Sequence, residues 1–358
     1  MKLRRFFFRA LVICTVFVIV NLSVWFIQTS NTEDQSNQAK ANISTSEPLL
    51  QPFPNNTEFY LLILVPSAVH EHQAFLERQA IRETWGRTPE NPNQDYWWKV
   101  VFLLGCTQDE KSTAKILRES TQYNDILQGN FSDGYYSVTH KVLMGLKWAT
   151  LRASVQFILK ADPDVYIHVT RTVKWLQNGD FPARLYGGVI KWRERVPRAF
   201  GDSHAISRRL YGKDYYPPYA IGAFVMISQS IVPDMLKATI TRSPIVYDDP
   251  YLGILSKEIN VKPFLIKHFF FSLAIRYSFG KVVKSYSDCQ LVDIFAIGDR
   301  IDYKMKHYLH NRFLKIDAMN LTKASPKCRW QNILEQSVLD GRLVDYINQN
   351  AYWFLKGN

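Results

Sequence analysis

The sequence predicts an α/β domain built on a largely parallel sheet. Short apolar runs, FYLLILV from Phe59 and VVFLLG from Val100, alternate with longer helical stretches, the pattern that winds helices between parallel strands. A third run, Val155 to Val169 (VQFILKADPDVYIHV), reads as a buried strand that surfaces at its carboxyl end and delivers Asp162 and Asp164 together. In open sheets of this kind ligands sit beyond the carboxyl ends of the strands. Two carboxylates one residue apart are hard oxygen ligands for a divalent cation, although Asp-x-Asp is also a common turn or cap.

The first strand begins at Phe59 and leads into a helix through Phe75, Ala80, Ile81 and Trp85. Arg78 and Arg82 lie one turn apart on it, placed for a phosphate or an acidic partner, or for simple pairing with Glu77 or Glu83. After the second strand ends at Gly105, a polar helix runs to about Tyr123 and a short strand spans Asp125 to Leu127. FSDGYYSVTHK follows from Phe131, then a helix with the apolar face Val142, Leu143, Leu146 and Ala149.

Beyond the acidic pair, Tyr186 to Ile190 reads as a strand and Lys191 to Arg209 as a basic loop. Such a loop closes over a diphosphate, meets an acidic acceptor, or simply stands solvated. Tyr215, Tyr216 and Tyr219 precede Gly222 and a strand from Ala223 to Ile227. Their rings suit a sugar face or the packing of a sheet edge. IVYDDPYLGIL from Ile245 carries a second acidic pair, Asp248 and Asp249, which serves either as a general base or as a helix N-cap ahead of Pro250. VKPFLI gives a further strand, with His268 past its end as an imidazole ligand or a structural histidine.

The 358 residues are 47% hydrophobic, enough for a full core. Residues 1–9 carry Lys2, Arg4, Arg5 and Arg9, and 10–27 form an uncharged apolar run long enough to span a bilayer. The flanking positive charge predicts a cytoplasmic tail and a type II signal anchor. Residues 28–57, polar and aperiodic, read as a lumenal stem before a catalytic domain over 58–358. Sequons at Asn42, Asn55, Asn130 and Asn320 agree with lumenal exposure. Net charge is +12, and subtracting the four N-terminal cations leaves +8, which favours anionic ligands such as nucleotide sugars, while the topology argues against nucleic acid. Cys14 lies in the anchor; among Cys106, Cys289 and Cys328 one disulfide is expected, with the nearness of Cys289 and Cys328 favouring that pair.

Six segments in order carry a resemblance: RQAIRETWG from Arg78, VFLLG from Val101, YNDILQGNFSDGYYSVTHK from Tyr123, KADPDVYI from Lys160, YPPYAIG from Tyr216 and DDPYLG from Asp248. Together they resemble the β-1,3-glycosyltransferases, which include β-1,3-galactosyltransferases and β-1,3-N-acetylglucosaminyltransferases. The resemblance implies a Golgi membrane enzyme of GT-A fold that inverts the anomeric centre, using a UDP-sugar and Mn²⁺. Galactose transfer to a glycan on protein or lipid is the expectation, with N-acetylglucosamine transfer and a catalytically silent glycan-binding homologue as alternatives; self-association stays open. On matching positions, Asp164 would hold the metal with Asp162 beside it near the donor ribose, and Asp249 would be the catalytic base. Arg78, Arg82 and Lys141 match donor-side motifs, and His268 is a further candidate metal ligand. Pro163 stands where the family has a middle carboxylate, Asp248 where it has Glu, and Glu77 where it often has Arg.

Overall fold

The computed structural model describes residues 47–53, 57–70, 72–87, 97–199, 202, 204–272, 277–278, 280–325 and 328. Strand β1 (Thr57–Pro66) is followed by α1 (His72–Glu83), β2 (Trp98–Cys106), α2 (Glu110–Tyr123), β3 (Ile126–Ser132), α3 (Val138–Arg152) and β4 (Ala153–Ala161). Then come β5 (Tyr166–Ile167), α4 (Val169–Asn178), β6 (Tyr186–Lys191), β7 (Tyr219–Ser228), α5 (Val232–Ala238) and α6 (Asp248–Glu258). The order ends with β8 (Phe264–Leu265), β9 (Phe269–Phe271), α7 (Asp288–Leu291), β10 (Ala296–Gly298) and α8 (Tyr303–Ala318).

Seven strands form one sheet in the order β3-β2-β1-β4-β7-β6-β8, and the expected α/β class with a largely parallel sheet holds. Only β7 is reversed, antiparallel to both β4 and β6. Because it starts where its neighbours end, it brings Tyr219 to Gly222 to the edge at which Asp162 emerges. β1 reads as an unbroken apolar run because both its faces are covered. Leu61, Ile63 and Val65 enter a core shared with α1, α4 and α8, while Leu62 and Leu64 face α3, α5 and α6.

Several expectations change. The stretch from Val155 to Val169 is not one strand: β4 stops at Ala161, Asp162 to Asp164 form a turn, and the chain enters a separate three-stranded sheet in the order β5-β10-β9. VKPFLI yields only the two-residue β8, which pairs with Gly187 and Gly188 of β6. After β10 the helix α8 adds Leu309, Phe313 and Ile316 to the first core. Residues 47–53, assigned to the stem from composition, lie on the domain: Leu49 and Leu50 exchange backbone hydrogen bonds with Gln128 of the edge strand β3, and the Phe53 ring meets Phe59 and Trp148. That contact covers an otherwise open sheet edge.

Cys289 and Cys328 form a disulfide, the pair that nearness in sequence favoured but spacing left open, and Cys106 is a free thiol. Asn130 and Asn320 are exposed, whereas the anchor and the sequons at Asn42 and Asn55 lie outside the described residues. Among the described residues no helix is long and apolar enough to cross a membrane.

α8 is also tied to α4 by charge, Asp317 accepting from Arg171 at 2.5 Å and meeting His168 at 2.7 Å. Partial burial opposes ionisation, but His168 and then Arg171 outweigh it and bring the carboxyl down to about 2 from its ordinary 3.8. A depressed carboxyl stabilises the fold above its unfolded pKa and loses that contribution as pH falls through the folded one. Asp317→Asn is therefore expected to lower stability at pH 7 by about 0.5–1 kcal/mol, discounted for solvent screening, and the gap to the parent should close as pH falls from about 4 toward 2. Urea unfolding midpoints across that range provide the check.

Candidate active site

Lys160 is the centre of the site. In β4 the two-residue alternation puts it on the same face as Ile158, the face that α6 covers, so its side chain is buried where a charge needs partners. Nζ donates to Asp162 Oδ1 at 2.6 Å and to the Gly222 carbonyl at 2.6 Å, and lies 2.8 Å from Asp248 Oδ2. Burial opposes its charge, but Asp162 and Asp248 outweigh burial and hold the ammonium well above the ordinary lysine value.

Asp249 comes from the first turn of α6, whose N-cap is Tyr247, so neither acid of that pair is the cap. Its Oδ2 accepts from the Gly222 N–H at 3.3 Å. Burial, followed by the neighbouring Asp248 charge, pushes its carboxyl up to about 7, and burial with the charges of Asp248 and Asp164 raises Asp162 to about 6 even against Lys160. Two glycines permit the approach. A Cβ at Gly222 would lie 3.1 Å from Lys160 Nζ and 3.2 Å from Asp249 Cβ, and one at Gly253 would come within 2.4 Å of Tyr219 Cβ, forcing α6 off β7.

Asp164 is held from the C-terminal part of the chain. Its carbonyl accepts from Ile301 N–H at 2.8 Å and its Oδ2 from Arg300 N–H at 3.2 Å. The Ile301 carbonyl in turn accepts from the buried Lys306, at 2.7 Å, and Lys306 is ion-paired with Glu77 of α1. Trp85, just past α1, donates to the Val165 carbonyl at 3.2 Å and fixes the other flank of the turn.

Arg78 and Arg82 share a helix face, as their spacing requires, but their partners are neither Glu77 nor Glu83. Arg78 is buried with Glu119 at 2.7 Å on two nitrogens, and it also donates to Ser67 Oγ and the Ala68 carbonyl. Arg82 pairs with Asp125 at 2.8 Å and 2.9 Å and with Glu119 at 2.8 Å, its guanidinium lying 4.0 Å from the Tyr123 ring centroid. Arg78 thus braces the loop at the carboxyl end of β1 against α2, and Arg82 ties α1 to α2 and to the residue before β3. Lys141 donates to the Ser67 carbonyl at 2.7 Å and pairs with Asp133, whose carboxylate also accepts from the Val69 and Gly105 N–H groups. Two residues earlier, Thr139 Oγ1 donates to the Ile245 and Val246 carbonyls at 2.8 and 2.9 Å, pinning the approach to α6.

The structure brings Asp162, Asp164, Asp248 and Asp249 to one edge and corrects the placement of His268. Backbone bonds set His268 level with Phe295, and Phe295 with His168, four residues beyond Asp164, so about 13 Å of strand separates it from that aspartate. Its ring stacks on Phe295 at 4.1 Å and Nδ1 meets the Asp293 carbonyl, the structural role. Among the described residues no three His, Cys, Asp or Glu side chains gather as a metal cage. The remaining set, Asp162 and Asp164 within a cluster of four carboxylates balanced by one lysine, suits a hard divalent cation that takes one or two protein carboxylates and completes its shell from a diphosphate.

Lys160 was visible in the sequence without a role, because an isolated lysine inside an apolar strand gives no hint of which acids will surround it. Lys160→Met is expected to cost about 3–5 kcal/mol by leaving buried carboxylates uncompensated, and adding Asp248→Asn should recover part of that loss. Urea denaturation of the single and double variants measures both.

The galactosyltransferase family profile matches residues 76–266. Beta-1,3-galactosyltransferase 5 of Pan paniscus is 29% identical over 204 residues, covering 57% of this chain and 66% of that protein. UDP-GlcNAc:betaGal beta-1,3-N-acetylglucosaminyltransferase 7 of Rattus norvegicus is 32% identical over 212 residues, covering 58% and 53%. The matches thus span from just under two thirds to about half of these relatives' lengths. The crystal structure of the galactosyltransferase LgtC with donor and acceptor sugar analogues aligns with a TM-score of 0.37 at 14% identity, over 75% of this chain and 99% of that one, a likeness too loose to argue from. The profile match covers more than half of the 358 residues and includes both acidic pairs, Arg78, Arg82 and Lys141: the chain belongs to the galactosyltransferase family.

Proposed function

We propose that the chain is an inverting glycosyltransferase of the GT-A type that moves galactose from UDP-galactose in β-1,3 linkage onto a glycan of a glycoprotein or glycolipid. It would work as a type II Golgi membrane protein with its catalytic domain in the lumen. The observation that carries the reading is the convergence of Asp249 from α6 and of Asp162, from the turn after β4, on Lys160 and Gly222, within a matched family. N-acetylglucosamine transfer is the second reading, favoured by the 32% identity to the rat N-acetylglucosaminyltransferase.

Inversion requires one in-line displacement. Asp249 takes the proton of the acceptor hydroxyl as its oxygen bonds to C1 of the donor sugar, while the bond from C1 to the diphosphate oxygen breaks and UDP departs. The raised pKa suits a base that must bind a proton and later release it near neutrality. Lys160 anchors Asp162 and Asp248 and limits the repulsion around Asp249. Asp162 and Asp164 would hold Mn²⁺, which when bound supplies charge stabilisation to the departing diphosphate. Arg78 and Lys141 shape the donor side by bracing Ser67 and Ala68, and Arg82 supports them by holding Glu119 and Asp125.

Purified lumenal domain should release UDP from UDP-galactose, or from UDP-N-acetylglucosamine, in a Mn²⁺-dependent manner with a panel of acceptor sugars. Asp249→Asn should lower kcat by about 10² to 10⁴-fold. Since the ionised form is the base, kcat/KM should rise with pH through about 7 and then level off. A pH-independent rate between pH 5.5 and 8.5, on the order of the range around that value, would remove Asp249 from the role.

A further inference from the structure

Asp164 accepts hydrogen bonds on two of its oxygens, and both donors come from one short segment after β10. Arg300 N–H reaches Oδ2 at 3.2 Å and Ile301 N–H reaches the carbonyl at 2.8 Å. Arg300 holds φ at 59°, a left-handed backbone that a residue with a side chain keeps only where its surroundings fix it. The fixing group lies one turn on. Side chains on a helix lean toward its N-terminus, so Lys306 of α8 reaches back and its Nζ donates to the Ile301 carbonyl at 2.7 Å. That ammonium is wholly buried and paired with Glu77 of α1, whose Oε1 also accepts from the Tyr303 N–H at 3.1 Å, a first-turn donor with no partner inside the helix. Burial lowers the affinity of Lys306 for its proton, while the Glu77 charge and, after it, those of Asp164 and Asp302 oppose that.

We propose that Glu77 and Lys306 are positioning residues for the acidic turn, a buried pair that sets how tightly Asp164 holds a divalent cation. The inference rests on the glycosyltransferase reading given above. With Oδ2 committed to the Arg300 N–H, Oδ1 is the oxygen left to the cation, and the hold on residues 300 and 301 fixes its direction. Outer partners of a metal-binding carboxylate typically change metal affinity by about 10- to 100-fold. Charge enters as well. An ammonium in the field of Asp164 repels a cation bound there, so Lys306 can serve as the donor to Ile301 only because Glu77 neutralises it. An arginine at position 77 would add to the repulsion instead. The plain alternative, a pair that only joins α1 to α8, predicts effects on stability with none on the metal.

The test uses the full chain and Mn²⁺ itself, the free ion being followed by its EPR signal. Glu77→Gln keeps the side chain's size and an oxygen for the Tyr303 N–H but leaves Lys306 uncompensated. Glu77→Leu combined with Lys306→Met removes both charges at similar volume, an exchange of a buried pair that is often neutral for stability. Each should raise the Kd for Mn²⁺ about 10- to 100-fold. In UDP release the KM for Mn²⁺ should rise by the same order, with the larger part of the defect there rather than in kcat. Thermal melting of the double variant in EDTA should stay near the parent value. The wild type supplies a check that needs no variant, because coupling is reciprocal: Mn²⁺ must stabilise the segment by the factor with which the segment stabilises Mn²⁺. Deuterium exchange at the Arg300 and Ile301 amides should therefore slow about tenfold or more on saturation with Mn²⁺. Parent affinity for Mn²⁺ in either folded variant, or exchange at residues 300 and 301 unmoved by the metal, overturns the positioning role and leaves the transferase reading intact. A wild type that neither binds Mn²⁺ nor splits either UDP-sugar overturns that reading, and the positioning role with it.

Discussion

A lysine buried in a sheet strand cannot be left unpaired, and the arrangement of the whole edge follows from how Lys160 is compensated. Its ammonium takes one carboxylate from the turn that ends its own strand, one from α6 and a carbonyl from the reversed strand β7, so segments distant in sequence converge on one nitrogen. Replacing one of those acids would shift the others, because two further carboxylates, Asp164 and Asp249, sit in the same field. The geometry suits a base better than a permanent ion. Asp162 and Asp248 share the lysine directly, whereas Asp249 meets only a backbone N–H and retains a raised affinity for protons.

A second group of buried charges does not touch that cluster and yet determines where it stands. Arg78, Arg82, Glu119, Asp125, Asp133 and Lys141 tie the ends of β1, β2 and β3 into one platform. Buried ion pairs contribute little net stability, because desolvation consumes most of the Coulomb gain, but removing one partner is costly. Their effect here is geometric. Each guanidinium fork or carboxylate has a fixed direction, so loops that backbone propensity alone leaves free, such as Ser67 to Val69, are held in one conformation.

The fold class was legible in the sequence because strands covered on both faces read as continuous apolar runs, and because the helices between them are long enough to carry their own period. Both acidic pairs were legible for a different reason: each alone reads equally as a turn or a helix cap, and only their place among six ordered segments singles them out. What could not be read was pairing across distance. Arg78 and Arg82 showed their shared face but not Glu119 and Asp125, which lie 41 and 43 residues further on in the chain. His268 looked available beside a strand, and only the register of β9 against β10 shows that it stands at the far end from Asp164. The three-stranded sheet was hidden because its strands are two or three residues long, too short for any period to show.

Glu77 shows how a departure from a family pattern becomes intelligible in the structure. Standing where the family often has arginine, it would be an uncompensated acid on a buried helix face; instead it accepts from the Tyr303 N–H at 3.1 Å and pairs with Lys306. Lys306 holds the Ile301 carbonyl, and the Ile301 and Arg300 N–H groups hold Asp164. The link therefore runs from α1 through the start of α8 to a carboxylate of the acidic turn. Residues 300–306 lie beyond the family match, which ends at residue 266. So a segment outside the recognisable part of the chain completes the environment of an aspartate inside it, and the exchange at position 77 makes sense only together with the lysine at 306. Pro163 fits the same picture: a proline between Asp162 and Asp164 has no N–H to give and a restricted φ, while the backbone donors that orient Asp164 are supplied from across the turn by Arg300 and Ile301.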